Sequence, residues 1–271
     1  MISNPVLKKE LLLRLRWRQP TPARIGVLLA VLAVTGLIYW SVFSAVLSST
    51  GVNNGHDAWQ LVMGAQFVLI LLVTPAITAN AITREKEQQT WEMLIFTRLL
   101  PGEIILGKLL ARMATVLLIM ALFLPISLFA WAHTDHQGLE AGSYVTMGQF
   151  VLVYVATLIS ATFFAAFGLF MSWLLQRTLY ALMLSYTFII GFLCIGTTLI
   201  SAVGVYLTQD SSIMDHFPLM WVNPIMILFY ALNLGSSNLQ YYLIYGILIY
   251  AVATLLMLWR MITGFRRYAY E

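Results

Sequence analysis

Residues 58–82 read AWQLVMGAQFVLILLVTPAITANAI, and residues 83–112 continue as TREKEQQTWEMLIFTRLLPGEIILGKLLAR. The first stretch holds no charged residue. It is long enough to cross a bilayer core of about 30 Å, which takes roughly 20 residues of helix because each backbone polar group must be bonded within its own segment. The second stretch is abruptly charged, then apolar again from Leu109. A span, a charged connection and a further span is the simplest reading, and it decides the class of the chain.

Further uncharged runs extend from Ile25 to Ser48, Tyr144 to Leu175, Thr178 to Leu207 and Leu239 to Trp259, while the run from Leu109 to Ala132 carries one charge, Arg112, in its first turn. Together they predict about six transmembrane helices. Composition agrees: the 271 residues are 61% hydrophobic and 10% charged, against about 45–50% and about 25% in soluble domains. So little charge cannot cover a water-facing surface, and so many apolar side chains would not stay disordered, which excludes a soluble enzyme, a disordered tail and a fibrous protein. The single cysteine, Cys194, lies between Leu193 and Ile195 and offers neither a disulfide framework nor a thiolate metal site. No repeat or linker marks a second domain, so residues 1–271 are read as one all-α, polytopic membrane helix bundle. The long basic N-terminal region and long first apolar run argue against a cleavable signal peptide.

The arrangement of charge outweighs the net +4, which in a soluble chain would suggest nucleic acid and here does not. All 15 Lys and Arg lie in the N-terminal segment, the connection holding Arg84, Lys86, Arg98, Lys108 and Arg112, the Gln176-Arg177 break and the tail with Arg260, Arg266 and Arg267. The alternate loops carry acids and all four histidines. Cytoplasmic loops collect positive charge, so both termini are expected on the cytoplasmic side of the inner membrane. The apolar stretch 218–234 is short and interrupted by Asn223-Pro224. If it crossed fully, the basic tail would lie outside, so it reads as an outer re-entrant hairpin before the last span. Trp59, Trp131 and Trp221 fall at expected outer boundaries and Trp17, Trp91, Trp173 and Trp259 at inner ones, where indoles settle at headgroup level; Trp40 is the exception.

Two elements stand out on the basic side. Asn4-Pro5 starts a helix well and Pro20 ends it; residues 4–19, with Leu7, Leu11 and Leu15 on one stripe and Lys8, Lys9 and Arg16 elsewhere, suit a helix lying among inner headgroups and anionic membrane lipids. In the connection, Glu85 to Gln89 form a polar turn, Trp91, Leu94 and Ile95 recur at helical spacing, and Pro101-Gly102 is expected to stop that helix. A short amphipathic helix there could receive force from a soluble partner, or simply bound two spans; periodicity alone favours neither.

The stretch Thr83 to Arg112 resembles the cytoplasmic coupling segment of type-2 ABC exporter permeases, in the pattern Glu, then Thr-x-Glu-x-Leu, then Thr, ending in Ile-x-x-Gly-Lys. The matching positions are Glu87, Thr90, Glu92, Leu94, Thr97, Ile105, Gly107 and Lys108. Gln89 stands where the pattern has Gly and Arg98 where it has Pro. The opening NPVLKKELLLRLR resembles the N-terminal elbow helix of the subgroup linked to multicopper enzyme maturation. The resemblance implies a half-transporter that works as two copies, or with a similar second permease, each docked on an ABC ATPase subunit that holds ATP and Mg. It makes 83–102 the coupling segment, with Glu85, Glu87, Thr90, Trp91, Glu92, Leu94, Thr97 and Arg98 its candidate contacts. It also implies that the second and fifth spans border the central pathway, which makes Thr74, Thr78, Asn80, Ser185, Thr187, Thr197 and Thr198 candidates for the substrate path. The common use of such hydroxyls is interhelical bonding beside small residues such as Ala161, Ala165, Gly168 and Ser172.

The chain itself is not expected to hydrolyse ATP. Gly102 to Lys108 spells GxxxxGK, but Leu109 stands where Ser or Thr must meet magnesium, and no strand precedes it. The expected spans contain no acid or histidine, which weakens ion-coupled transport and intramembrane hydrolysis. His56, Asp57, His133, Asp135, His136, Asp215 and His216 could ligate a metal only if the outer loops met, and solvated histidines are the commoner case, so no metal site is expected. The alternative to an ATP-driven exporter is an ATP-independent membrane protein, a secondary transporter or a scaffold.

Overall fold

The computed structural model describes residues 54–91, 100–132, 145–191, 222–233 and 237–270, with scattered helical positions at 33–44 and 199–206. Its elements are α1 (Asn54–Thr78), α2 (Asn80–Glu87), α3 (Pro101–Ala132), α4 (Met147–Leu174), α5 (Thr178–Thr187), α6 (Pro224–Leu232) and α7 (Ser237–Tyr270). The described residues hold no strand, and the chain is an all-helical bundle. Among them, four helices are long and apolar enough to cross a membrane: Ala58–Glu87, which joins α1 to α2, then Pro101–Ala132, Met147–Leu174 and Gln240–Gly264. The expected elbow helix, most of the first span and the outer half of the fifth lie outside the described residues.

Helix α4 is the centre of the bundle and packs against α1, α2, α5, α6 and α7. Lipid tails are as apolar as leucine, so close packing and interhelical hydrogen bonds must hold spans together. The small residues of α4 serve this: Ala161, Ala165 and Ser172 are buried, and a Cβ on Gly168 would sit 2.1 Å from the Thr78 hydroxyl. Because Thr78 meets Gly168 and Thr83 meets Ser172, α1–α2 and α4 run in the same direction. Toward the N-terminal end of α1 the core is aromatic, with Trp59, Phe123, Phe150, Phe163, Phe164 and Tyr250 buried together; Phe163 stacks on Tyr250 at 4.4 Å between centroids. Toward the other end it is aliphatic, built from Ile82, Ile104, Ile105, Leu109, Val116, Leu169 and Met261.

Helix ends in such a bundle need partners for their unpaired backbone groups. Thr146 caps α4 by accepting the Gln149 N–H at 3.2 Å, and the Gln149 amide donates to the Leu232 carbonyl at the end of α6 at 2.6 Å. Asn223 caps α6 by accepting the Ile225 N–H at 2.9 Å, with Pro224 in the first helical position where no N–H is missed. At nine residues, or about 13 Å, α6 is too short to cross a membrane.

One boundary differs from the sequence expectation. Pro101-Gly102 begins α3, so the span starts about two turns before Leu109; the helix expected to stop there falls on residues 92–99, outside the described residues. Proline fits the first helical turn, and the Glu103 carboxylate reaches back to accept the Leu100 N–H at 3.2 Å, as in a capping box. Likewise Glu85 to Glu87 form the last turn of α2 rather than a polar turn.

Candidate functional site: the charged end of the bundle

At one end of the bundle α2 finishes, α3 and α5 begin, and α4 and α7 close in. Three consecutive residues of α2 each hold a different neighbour. The Glu85 carboxylate pairs with Lys108 of α3 at 2.5 Å. Lys108 is 1% exposed and also donates to the Ala81 carbonyl at 2.8 Å, so its ammonium is satisfied inside the bundle, as a buried charge must be. Lys86 donates to the carbonyls of Trp173 and Leu175 at the end of α4, where a cation also meets the negative end of the helix dipole. Its ammonium lies 5.7 Å from the Trp91 ring centroid, in cation–π range. The Glu87 carboxylate accepts the Thr178 N–H of α5 at 2.7 Å, an anion at the positive end of a helix.

Hydroxyls complete the junction. Ser172 of α4 accepts the N–H groups of both Ile82 and Thr83 at 2.9 Å, and Thr83 and Thr178 share a hydrogen bond at 2.8 Å. Trp173 is covered by α7, where a Cβ on Gly264 would lie 2.5 Å from its ring.

The exit from α2 explains the unusual glutamine. The Thr90 N–H returns to the Glu85 carbonyl at 2.9 Å and the Gln89 N–H to that of Lys86 at 3.1 Å, which is a Schellman motif. Gln89 occupies its left-handed position with φ 56°, where the family pattern carries Gly. A Cβ in that conformation costs about 1–2 kcal/mol. Gln89→Gly is therefore expected to raise the unfolding temperature of the purified chain, a gain of about 1 kcal/mol read by thermal scanning in detergent; a lower temperature would contradict the turn.

Of the candidate coupling residues, the structure brings Glu85, Glu87, Thr90 and Trp91 to this junction, whereas Glu92, Leu94, Thr97 and Arg98 lie outside the described residues. The pathway candidates fall otherwise. Thr74, Thr78 and Ser185 are buried and donate to carbonyls on their own helices, those of Ile70 at 2.6 Å, Thr74 at 2.9 Å and Ala181 at 2.7 Å. Asn80 is half-buried and Thr187 exposed, and Thr197 and Thr198 lie outside the described residues. Of the histidines, His56 bonds to Gln60 at 2.9 Å, while His133, His136 and His216 lie outside the described residues. The GxxxxGK string is helix, not a phosphate loop: it occupies the first two turns of α3, and its lysine is held by Glu85 and Ala81.

The roles of Lys86, Lys108 and Ser172 as fasteners between helices emerge only in three dimensions; the nearest signal in the sequence is Lys108 as the last residue of the Ile-x-x-Gly-Lys pattern.

A family model described as ABC-2 type transporter matches residues 6–239. The chain belongs to the ABC-2 type transporter family. No match was found among curated proteins. The match is at the level of the family and carries no subgroup. As an ABC-2 type permease the chain is a multi-pass membrane protein and the transporting component, not itself the catalytic one. The charged junction of this permease spans residues 81–87, 100–108 and 172–178, so it lies inside the matched region.

Proposed function

We propose that the chain is the transmembrane subunit of an ATP-driven exporter, working as a homodimer or beside a similar permease, with each permease docked on a separate ATPase subunit that binds ATP and Mg. Residues 83–102 are the coupling segment, and the charged junction is where its movement enters the bundle. The observation that carries this reading is the run Glu85-Lys86-Glu87, whose three charges are fastened to α3, α4 and α5. A connection that merely bounded two spans would have no need to hold three other helix ends. A segment that must pull on the bundle needs that stiffness. With all Lys and Arg on one side of the membrane map, the junction and both termini face the cytoplasm. The uncharged stretches 58–82 and 113–132, beyond the charged junction, favour a lipidic, apolar or small neutral substrate.

A photo-crosslinking side chain at Thr90, which is exposed on the outer edge of the junction, tests the docking. Crosslinking in the native membrane is expected to capture a nucleotide-binding subunit. Adducts confined to lipid or to a second copy of the chain would contradict the proposal.

A further inference from the structure

The helix from Ala58 to Glu87 is irregular at one place. Pro75 has no N–H, so the helical ladder opens beside it. The Ala79 backbone remains helical, its N–H donating to the Pro75 carbonyl at 2.9 Å, and three hydroxyls back-bond around it: Thr74 to Ile70, Thr78 to Thr74 and Thr83 to Ala79, at 2.6, 2.9 and 2.8 Å. Such bonds bend helices. The Ser172 hydroxyl takes the N–H groups of Ile82 and Thr83 directly below. Opposite, Gly168 lets the α4 backbone rest against Thr78 and Ala79.

Helix α5 bridges this place. Below it, Thr178 holds Glu87 and Thr83. Above it, the Tyr186 hydroxyl donates to the Leu72 carbonyl at 2.6 Å, three residues before Pro75. A π-helical turn follows at 188–191, the kind of irregularity often found at functional positions. A second tyrosine repeats the device: Tyr39 donates at 2.8 Å to the Leu122 carbonyl, three residues before Pro125 of α3.

We propose that residues 74–83 are a hinge between α1 and α2, with Gly168 as its fulcrum, and that Tyr186 is a positioning residue that sets the hinge angle through α5. Tilting α2 requires either that α5 move with it or that the Tyr186 bond break. The hinge gives the coupling segment a path into the bundle, and it rests on the proposed function only for the origin of the force.

The test is made on the full chain alone in lipid nanodiscs, so that a missing ATPase and a missing hinge give different results. Nitroxides are placed at Gln88→Cys below the hinge and at Leu256→Cys on α7, both exposed, in a Cys194→Ser background diluted with unlabelled chain, so that the separation runs across the bundle and reports sideways movement of α2. Pulsed electron spin resonance is expected to give one narrow distance distribution, and Tyr186→Phe, which removes only the hydroxyl, to broaden or shift it by up to about 5 Å, the sideways displacement that a bend of about 20° gives over the ten residues below Thr78. Adding Pro75→Ala to Tyr186→Phe restores the ladder and is expected to return the narrow distribution. An unchanged distribution in Tyr186→Phe overturns the proposal, as does broadening that persists when Pro75 is replaced, which would mark Tyr186 as general packing.

Discussion

Glu85→Ala is expected to destabilise the chain by about 3 kcal/mol, because it removes the carboxylate that pairs with the Lys108 ammonium inside the bundle. The pair is asymmetric: Lys108 is 1% exposed, whereas the Glu85 side chain is 28% exposed although its Oε2 is itself buried. Lys108→Met leaves the Glu85 carboxylate on a side chain that can turn toward the surface and is expected to cost less. The double variant Glu85→Ala/Lys108→Met, which removes both charges of the pair, is expected to recover most of the loss, as replacements of buried ion pairs by apolar groups often do. Thermal unfolding of the four proteins in one detergent closes the cycle. A pair that contributes nothing would show additive losses, and the double variant would then be the least stable of the set.

Gly168→Val is the second large effect. The first Cβ already falls 2.1 Å from the Thr78 hydroxyl and 3.1 Å from its Cβ, and Thr78 cannot rotate away without leaving the Thr74 carbonyl to which it donates. The relief has to come from separating α4 from α1. Overpacking of this kind costs about 1–3 kcal/mol, and a β-branched side chain against backbone more. Gly168→Val is therefore expected to reach the membrane at a small fraction of the normal amount. Gly168→Ala is expected to be milder, and Thr78→Ala in the same chain to restore part of its level by removing the hydroxyl in the way. Normal amounts of folded Gly168→Val, judged by gel filtration in detergent, would show that the two helices do not touch where described.

Both effects lie at contacts between residues far apart in the chain, and that separates what the sequence shows from what it hides. The helical class was legible because an uncharged run such as 58–82 has one stable form in lipid. The packing role of Ala161, Ala165, Gly168 and Ser172 was legible from their four- and three-residue spacing on one helix face. The start of α3 was not, because Pro101-Gly102 is equally good at ending a helix and at opening one; the deciding contact, Glu103 to the Leu100 N–H, is local but ambiguous until the next helix is placed. The fastening of Glu85 to Lys108 and of Glu87 to Thr178 could not be read at all, since separations of 23 and 91 residues carry no periodic signal. Thr74 and Thr78 illustrate the same limit, because a buried hydroxyl in a span serves a pathway or its own helix with the same sequence. The stretch that carries the family pattern overlaps the junction all the same, and one of its two departures, Gln89, falls at the left-handed position that the usual Gly would occupy without strain.

Whether the segment 83–102 works by holding an ATPase is tested most directly by purifying the chain under mild conditions from its native membrane, beside a variant in which Glu92 and Arg98 are both charge-reversed. Bound proteins are identified and ATP hydrolysis is measured in each sample. An ATPase subunit is expected to accompany the normal chain with measurable hydrolysis and to be lost from the variant, while the variant still folds and reaches the membrane. Absence of any ATPase from both samples would contradict the central claim and leave an ATP-independent membrane protein as the better account.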